Sequence, residues 1–507
     1  MSGVRDAHTP QDSSCPDLDD TIWIEALKKR GHEFDVLDNP LDLVQAHRAS
    51  ISGAVLYEDR GNFSINNALM ISAQKDAIPC TPFLAEKLNL PVVFDTRGMW
   101  RDAAEAYSWA VENLWQACHQ SAAAFSPNYY FNMMDYLAQH KIFTCHLPNF
   151  SSEAEEEVIS RVLDLLPPGS PVIGVWDLYY PRYSLDPEND YERMFIDKIS
   201  EHGHFFLVTH DCGNLSVHSG LKSRLQATVD GPEDRLRVTG DRIQSAPAAR
   251  PGKTYLSFLF SEGDNLTFQM RNRPVIWEDP ARGKAPLGWS TAPLMLELCP
   301  LAFDYYESKR TPNDCWVVAC SGIGYFFPSM IFKDLSAERA QEAFQRIYRA
   351  TNEAMESIGA DVLWILDHRV RRSGSRTDTE YVADARLIEN VLKIAPAAKS
   401  VVCDYPDMFD TRNFSPKEYL VNSVPVFHAR NRYSPGLTLP EMIRKAAAQP
   451  GPPFMLVFVS GWGESPSSVL KYMEELGDGF EAVRPDVMAE MYLGWLGSNA
   501  NSEVSAK

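Results

Sequence analysis

Glu262 and Asp264 stand two residues apart in Ser261-Glu262-Gly263-Asp264-Asn265, where an apolar and aromatic run beginning at Tyr255 stops abruptly. On an extended chain residues two apart point to the same side, so both carboxylates would serve one site, with Asn265 facing across. Glycosidic cleavage needs such groups: one acid protonates the leaving oxygen while a base or nucleophile works on the opposite face. Two other readings use the same residues, a hard-cation site at Asp264 and Asn265 and a loop closed by Asx hydrogen bonds. Asp367, at the end of the run Val362 to Leu366, is the expected second carboxylate.

A second run, Trp316 to Pro328, breaks in Ser321-Gly322-Ile323-Gly324-Tyr325. Further runs end in Asp177, His210-Asp211, Asp367-His368, Asp404-Tyr405, His428-Ala429-Arg430, Ser460-Gly461-Trp462-Gly463-Glu464 and Arg484-Pro485-Asp486. In parallel α/β folds ligands bind at the carboxyl ends of the strands, so these residues are expected together. Carboxylates, His and Arg beside aromatic rings make a carbohydrate pocket, since sugar hydroxyls take hydrogen bonds while their C–H faces stack on rings. Trp289, Tyr325, Tyr405 and Trp462 are the stacking candidates, each of which would serve equally as core packing. A metal-assisted hydrolase or lyase using Asp264, His368 and His428 is the rival chemistry, although no tight spacing such as HExxH supports it. No cofactor signature stands out, and a divalent cation is left open.

The elements that must position these residues are strands alternating with helices. Strand candidates begin with AVLYED, PVVFD and KIFTCHLP, and from VIGVWD (172 to 177) onward they become longer and more regular. Ser152 and Glu155 read as a capping box opening an amphipathic helix, stopped by Pro167-Pro168-Gly169. Ser336 and Gly359 bracket the clearest helix, whose Ala340, Phe344, Ile347, Thr351 and Ile358 share a face. Strand, helix, strand at this spacing implies parallel β with right-handed crossovers. The expected fold is an N-terminal α/β domain (21–168), connecting α/β or first barrel units (169–252) and a (β/α) barrel-like catalytic domain (253–497). Tails flank it at 1–20 and 498–507, and an open doubly wound sheet is the alternative architecture. The polar stretch from Asp211 to Pro251 reads as a functional loop or a crossing between domains.

Composition bounds the rest. The 507 residues are 45% hydrophobic, 11% aromatic and 23% charged, ample for more than one core. A net charge of −20, from 68 acidic against 48 basic residues, would repel a phosphate backbone, so nucleic acid is not expected as a partner. No apolar run approaches the ~20 residues that span a bilayer, and the first residues lack the apolar core of a leader peptide. A cytoplasmic protein is expected, without membrane partners. Nine cysteines without a CxxC pair read as free, mostly buried thiols. The G-x-S-x-G, Walker A and G-x-G-x-x-G patterns are missing, since Gly322-Ile323-Gly324 is followed by the bulky Tyr325-Phe326-Phe327-Pro328.

Gly322-Ile323-Gly324-Tyr325-Phe326-Phe327-Pro328 resembles the motif that names the GxGYxYP family of glycoside hydrolases, with Phe327 at the second Tyr. Ser261 to Asn265 resembles the family's strand-end DGDN, with Glu262 for its first Asp. Pro286-Leu287-Gly288-Trp289, Thr311-Pro312-Asn313-Asp314 and Asp211 with Asn214-Leu215-Ser216 also resemble family segments. The resemblance runs from about Ile51 to Trp495 and implies an N-terminal α/β part, a C-terminal catalytic part and a carbohydrate substrate. With it, the expected catalytic residues are Glu262, Asp264 and Asp367. Asn214, Asn265, Arg282, Asp314, Tyr325, His368 and Arg484 are expected to hold the sugar, alongside Asp211, Trp289, Gly322, Gly324, Asp404, His428, Arg430, Trp462 and Glu464. The Phe327 and Glu262 departures also fit a sugar-binding protein that has lost catalysis. Sugar, linkage and oligomeric state are not specified by the residues.

Overall fold

The computed structural model describes residues 21–59, 62–128, 132–147, 152–176, 191–223, 246–263, 265–367, 369–373, 376–380, 383–403, 419–429 and 436–505. Asp264, His368, Asp404 and Arg430, with Asp177 and Tyr405, lie outside the described residues, as does the side chain of Asn265.

Three parallel strands, β1 (Ala54–Leu56), β2 (Ile78–Cys80) and β3 (Val92–Asp95), form a first sheet in the order β2-β1-β3. The next four are β4 (His119–Phe125), β5 (Ile142–Cys145), β6 (Pro171–Gly174) and β7 (Phe205–Val208), and they form a second parallel sheet ordered β5-β4-β6-β7. Pro167-Pro168-Gly169 therefore lies between two strands of one sheet. It stops the helix Glu153–Leu165, and Gly169, at φ +74°, turns the chain into β6. Ser152 occupies the N-cap of that helix without a side-chain cap bond. The helix is held instead by its buried face of Val158, Ile159, Val162 and Leu163.

The third sheet carries β8 (Thr254–Ser261), β9 (Leu287–Thr291), β10 (Asp314–Val318) and β11 (Val362–Ile365). After the separate antiparallel hairpin of β12 (Arg369–Ser373) and β13 (Arg376–Glu380), it continues with β14 (Ser400–Cys403), β15 (Tyr419–Val421), β16 (Val424–His428), β17 (Phe454–Ser460) and β18 (Phe480–Ala482). Its order is β15-β16-β14-β11-β10-β9-β8-β17, with β18 also on β8, and every pairing but β15 with β16 is parallel. A bridge from Ala429 to Leu456 brings β16 against β17, so the sheet curls.

Alternation explains why these strands read as continuous apolar runs. Tyr255, Leu259, Val317, Trp364, Phe427 and Leu456 belong to one buried cluster, while Leu256, Phe258, Phe260, Trp316, Leu363 and Val457 belong to the other. Both faces of the sheet are covered, as parallel strands require. The C-terminal helix Pro485–Ser505 packs across β8, β10, β14, β16 and β17, and Tyr492 meets the rings of Phe427 and Phe454. The helix Ala337–Ile358 forms as expected: Ser336 accepts the Arg339 N–H and Gly359 closes it at φ +65°. The first helix, Thr21–Lys29, leans on the third-sheet half of the chain. Its Trp23 indole donates to the Met270 carbonyl at 3.2 Å, and Arg30 pairs with Asp304.

Two buried histidines make stability depend on pH. His204 holds the Leu163 carbonyl at 2.9 Å through Nε2, and His218 packs edge-on to Trp23, yet Nδ1 of each has no hydrogen-bond partner among the described residues. Burial pulls both imidazoles down to about 4 from an ordinary value of about 6.5. The unfolded chain therefore binds more protons between those values, and stability falls as pH drops from about 6.5 to 4. Denaturant titrations at pH 7 and pH 5 should differ by about 2 kcal/mol or more, and His204→Gln with His218→Gln should remove most of that difference.

The eight cysteines among the described residues are buried, and no disulfide joins them. No described helix is long and apolar enough to cross a membrane.

Candidate functional site

β8 lies between β9 and β17 and ends at Ser261, so Glu262 emerges at the carboxyl edge of the third sheet. Its N–H donates to Ser290 Oγ on β9 at 3.1 Å, which fixes the backbone where the carboxylate leaves the strand. The helix Asn265–Arg271 begins just beyond, so the Glu262-Gly263-Asp264 stretch links a strand to a helix. Behind β9, Arg273 is fully buried and donates to the Ser290 carbonyl at 3.3 Å and to Thr291 Oγ1 at 3.2 Å. The rings of Trp277, Trp289, Tyr306 and Trp316 surround its guanidinium at 4.6 to 5.5 Å, and burial pulls its pKa to about 10. Sequence reasoning missed both Ser290 and Arg273, which carry no motif.

The Gly322–Pro328 stretch packs against this edge from the side of the second sheet. Tyr325 exchanges both backbone hydrogen bonds with Phe206 of β7, each at 2.8 Å. A side chain on Gly324 would put its Cβ 2.4 Å from Phe205 Cδ2 and 3.0 Å from the Phe206 carbonyl oxygen. One on Gly322, at φ +136°, would reach Thr351 Oγ1 at 2.5 Å. The two glycines thus let the loop lie against β7 on one side and the helix Ala337–Ile358 on the other.

The Tyr325 ring lies beside Gly263: a Cβ there would be 3.7 Å from Tyr325 Cε1 and 4.0 Å from Cys320 Sγ. Its phenol donates to Glu192 Oε1 at 3.1 Å, on the helix Tyr191–Glu201. Phe327 is buried, edge-on to Tyr325, and its N–H donates to Ser200 Oγ on that same helix at 3.0 Å.

Other strand ends gather here. Ser460 is in register with Ser261, so Trp462 follows the end of β17, the strand paired with β8. Trp462 is 42% exposed and meets Phe268 edge-on at 5.6 Å, while Glu464 accepts the Tyr472 hydroxyl at 2.7 and 2.8 Å. Ser321 Oγ donates to the Leu366 carbonyl and accepts the Leu366 N–H, which ties the end of β10 to that of β11. Asp367 is 2% exposed, and its Oδ1 accepts the N–H and hydroxyl of Ser329 at 3.2 and 2.8 Å. His428 ends β16, buried and stacked on Tyr419.

Asp211 follows β7. It pairs with Arg271 and with His210 Nε2 at 3.4 Å, while its N–H donates to Thr267 Oγ1. These bonds join the second sheet to the helix that follows Glu262. Burial pushes the His210 imidazole below its ordinary value. Asn214 adopts φ +56° before the short helix Leu215–Ser219.

Arg282, Trp289, Asp314 and Arg484 are placed elsewhere. Asp314 opens β10 and therefore sits at the amino end of the strand, where it accepts from Arg282 Nη1 at 2.7 Å, Trp289 Nε1 at 2.9 Å and Thr311. Trp289 is 1% exposed and stacks flat on Phe260, so neither of its faces is open to a sugar. Arg484 pairs with Asp486 and donates to the Pro312 carbonyl just before β10. At that end of a parallel sheet such bonds serve stability. Among the described residues no group of three or more His, Cys, Asp or Glu is placed to hold a metal.

The arrangement is that of an α/β protein in which a curled, largely parallel sheet presents its strand ends to a second parallel sheet across a glycine-bearing loop. The chain belongs to the GxGYxYP family. Residues 252–493 match its "putative glycoside hydrolase C-terminal domain", 51–118 its N-terminal second domain and 119–220 its third domain. The crystal structure of a "putative hydrolase" from Bacteroides thetaiotaomicron superposes with a TM-score of 0.73 at 19% identity, over 93% of this chain and 86% of that one. A "putative polysaccharide deacetylase" from Mycobacterium smegmatis reaches a TM-score of only 0.29 at 10% identity, over 48% of this chain and 93% of that one. No curated protein matches the chain.

Proposed function

We propose that this protein hydrolyses a glycosidic bond in a small glycoside or oligosaccharide by carboxylate acid/base catalysis, at the carboxyl ends of a barrel-like sheet. The observation that carries the reading is Glu262, whose backbone is held by Ser290 at a strand end, with the Tyr325 ring beside the next residue, Gly263, and the exposed Trp462 just past the end of the neighbouring strand. Glu262 is the proton donor to the leaving oxygen, a task for which a partly exposed carboxyl at the edge of an apolar sheet is suited. Trp462 is the platform on which a sugar ring stacks. The bridge between Ala429 and Leu456 supports the barrel-like architecture, and the family's own description supports the reaction class.

A panel of aryl glycosides and oligosaccharides, assayed with and without chelator, tests the reading. Release of a reducing sugar in both conditions is the expected result. No turnover, together with thermal stabilisation by one sugar, would point instead to a binding protein. Activity lost in chelator and restored by a divalent cation would favour the metal-assisted alternative. Trp462→Ala is expected to raise KM about 2- to 10-fold with a smaller change in kcat, because stacking is worth about 0.5–1.5 kcal/mol beyond area burial.

A further inference from the structure

Cleavage of a glycosidic bond takes two carboxyl groups on opposite sides of the reacting carbon. Asp367 is a poor second group: it is 2% exposed, and its Oδ1 is held by the amide and hydroxyl of Ser329. A different carboxylate reaches the same loop from the other half of the chain. Glu192 stands in the first turn of the helix Tyr191–Glu201, partly exposed, and its Oε1 accepts the Tyr325 phenol at 3.1 Å. The same ring flanks Gly263, next to Glu262. Tyr325 therefore links the turn that carries Glu262, after β8, to a carboxylate on a helix that packs on the second sheet. The bridge of Tyr325 to Phe206 fixes the spacing of those halves.

We propose that Glu192 is the second catalytic carboxylate, on the side opposite Glu262, an assignment that rests on the glycosidase reading. Glu192 takes a proton from water as the water oxygen attacks the anomeric carbon. The bond from that carbon to the leaving oxygen breaks with its electron pair going to oxygen, which receives the proton of the Glu262 carboxyl. Glycoside and water become hemiacetal and alcohol, Glu192 ends protonated and Glu262 ionised, and solvent restores both. A hydrogen bond donated to a carboxylate favours its charged form, and that is what the Tyr325 phenol provides for a group acting as base. The substrate then lies between the two halves of the chain, and neither half is a complete enzyme.

The test uses the full-length protein and the aryl glycoside it turns over best. Glu192→Gln is expected to lower kcat about 10³-fold with unchanged thermal unfolding, and Tyr325→Phe only about 10-fold. Glu192→Gly with added azide is expected to form a glycosyl azide of the anomeric configuration opposite to that of the substrate. A purely structural Glu192 would make Glu192→Gln and Tyr325→Phe equally damaging and yield no azide adduct, which would overturn the assignment. Glu192→Gln within tenfold of the native protein would overturn it too, leaving the glycosidase reading intact. A native protein inactive on every glycoside would remove both.

Discussion

Glu262→Gln is expected to lower kcat on an aryl glycoside about 10³-fold, within the range that positioned acid catalysis supplies, while thermal unfolding stays where it is. The fold should tolerate the change because the bond that anchors this position to β9 is made by the Glu262 N–H, which glutamine keeps. The amide is nearly isosteric but has no proton to give to a leaving oxygen. The loss should therefore depend on the leaving group. Dinitrophenyl glycosides, whose phenolate departs unaided, should lose little, and alkyl glycosides should lose most. A uniform loss across leaving groups would assign Glu262 to another step, and no loss would remove it from the chemistry.

Gly324→Ala is expected to destabilise the protein by about 1–3 kcal/mol and to cut activity with it. The added methyl group would lie 2.4 Å from the Phe205 ring and 3.0 Å from the Phe206 carbonyl oxygen, which is itself held by the Tyr325 N–H. The ring can give way, but the carbonyl belongs to β7 and cannot move without breaking the bridge that seats Tyr325. Gly322→Ala adds backbone strain of about 1–3 kcal/mol to its contact with Thr351, since φ +136° is costly for any residue with a Cβ. Calorimetric unfolding should show both losses, whereas Gly463→Ala, with nothing within 4 Å, should leave the midpoint in place. If Gly324→Ala unfolds like the native protein, the loop does not depend on its seat against β7.

The seat of the motif alters what its letters mean. Read along the chain, Gly322 and Gly324 are expected among the residues that hold a sugar. In three dimensions each is the point where another element comes too close for a side chain. Tyr325 faces the Glu262 turn because those glycines let its backbone pair with β7.

Periodicity determined the strands and the long helices. The runs VIGVWD, FFLVTHD and FMLVFVSG supply the largely buried strands β6, β7 and β17 of parallel sheets, and Ser336 and Gly359 close the helix between them, because apolar repeat, caps and stops act over a few residues. The sequence also ordered the motifs that place the chain in its family, and it put Glu262 at a strand end. Tertiary structure alone decided which strand-end residues meet. Asp314 carries the same carboxylate as Asp367, yet it opens β10 and lies in a buried network with Arg282 and Trp289. The letters put Asp314 before its apolar run and Asp367 after one, but only the packed sheet shows what closes each off. Glu192 was invisible for the opposite reason, because it sits in an ordinary amphipathic helix far from every motif and reaches Tyr325 across 133 residues of chain. Local signals come from neighbours in sequence, whereas a site is made by side chains that are neighbours only after two sheets have packed.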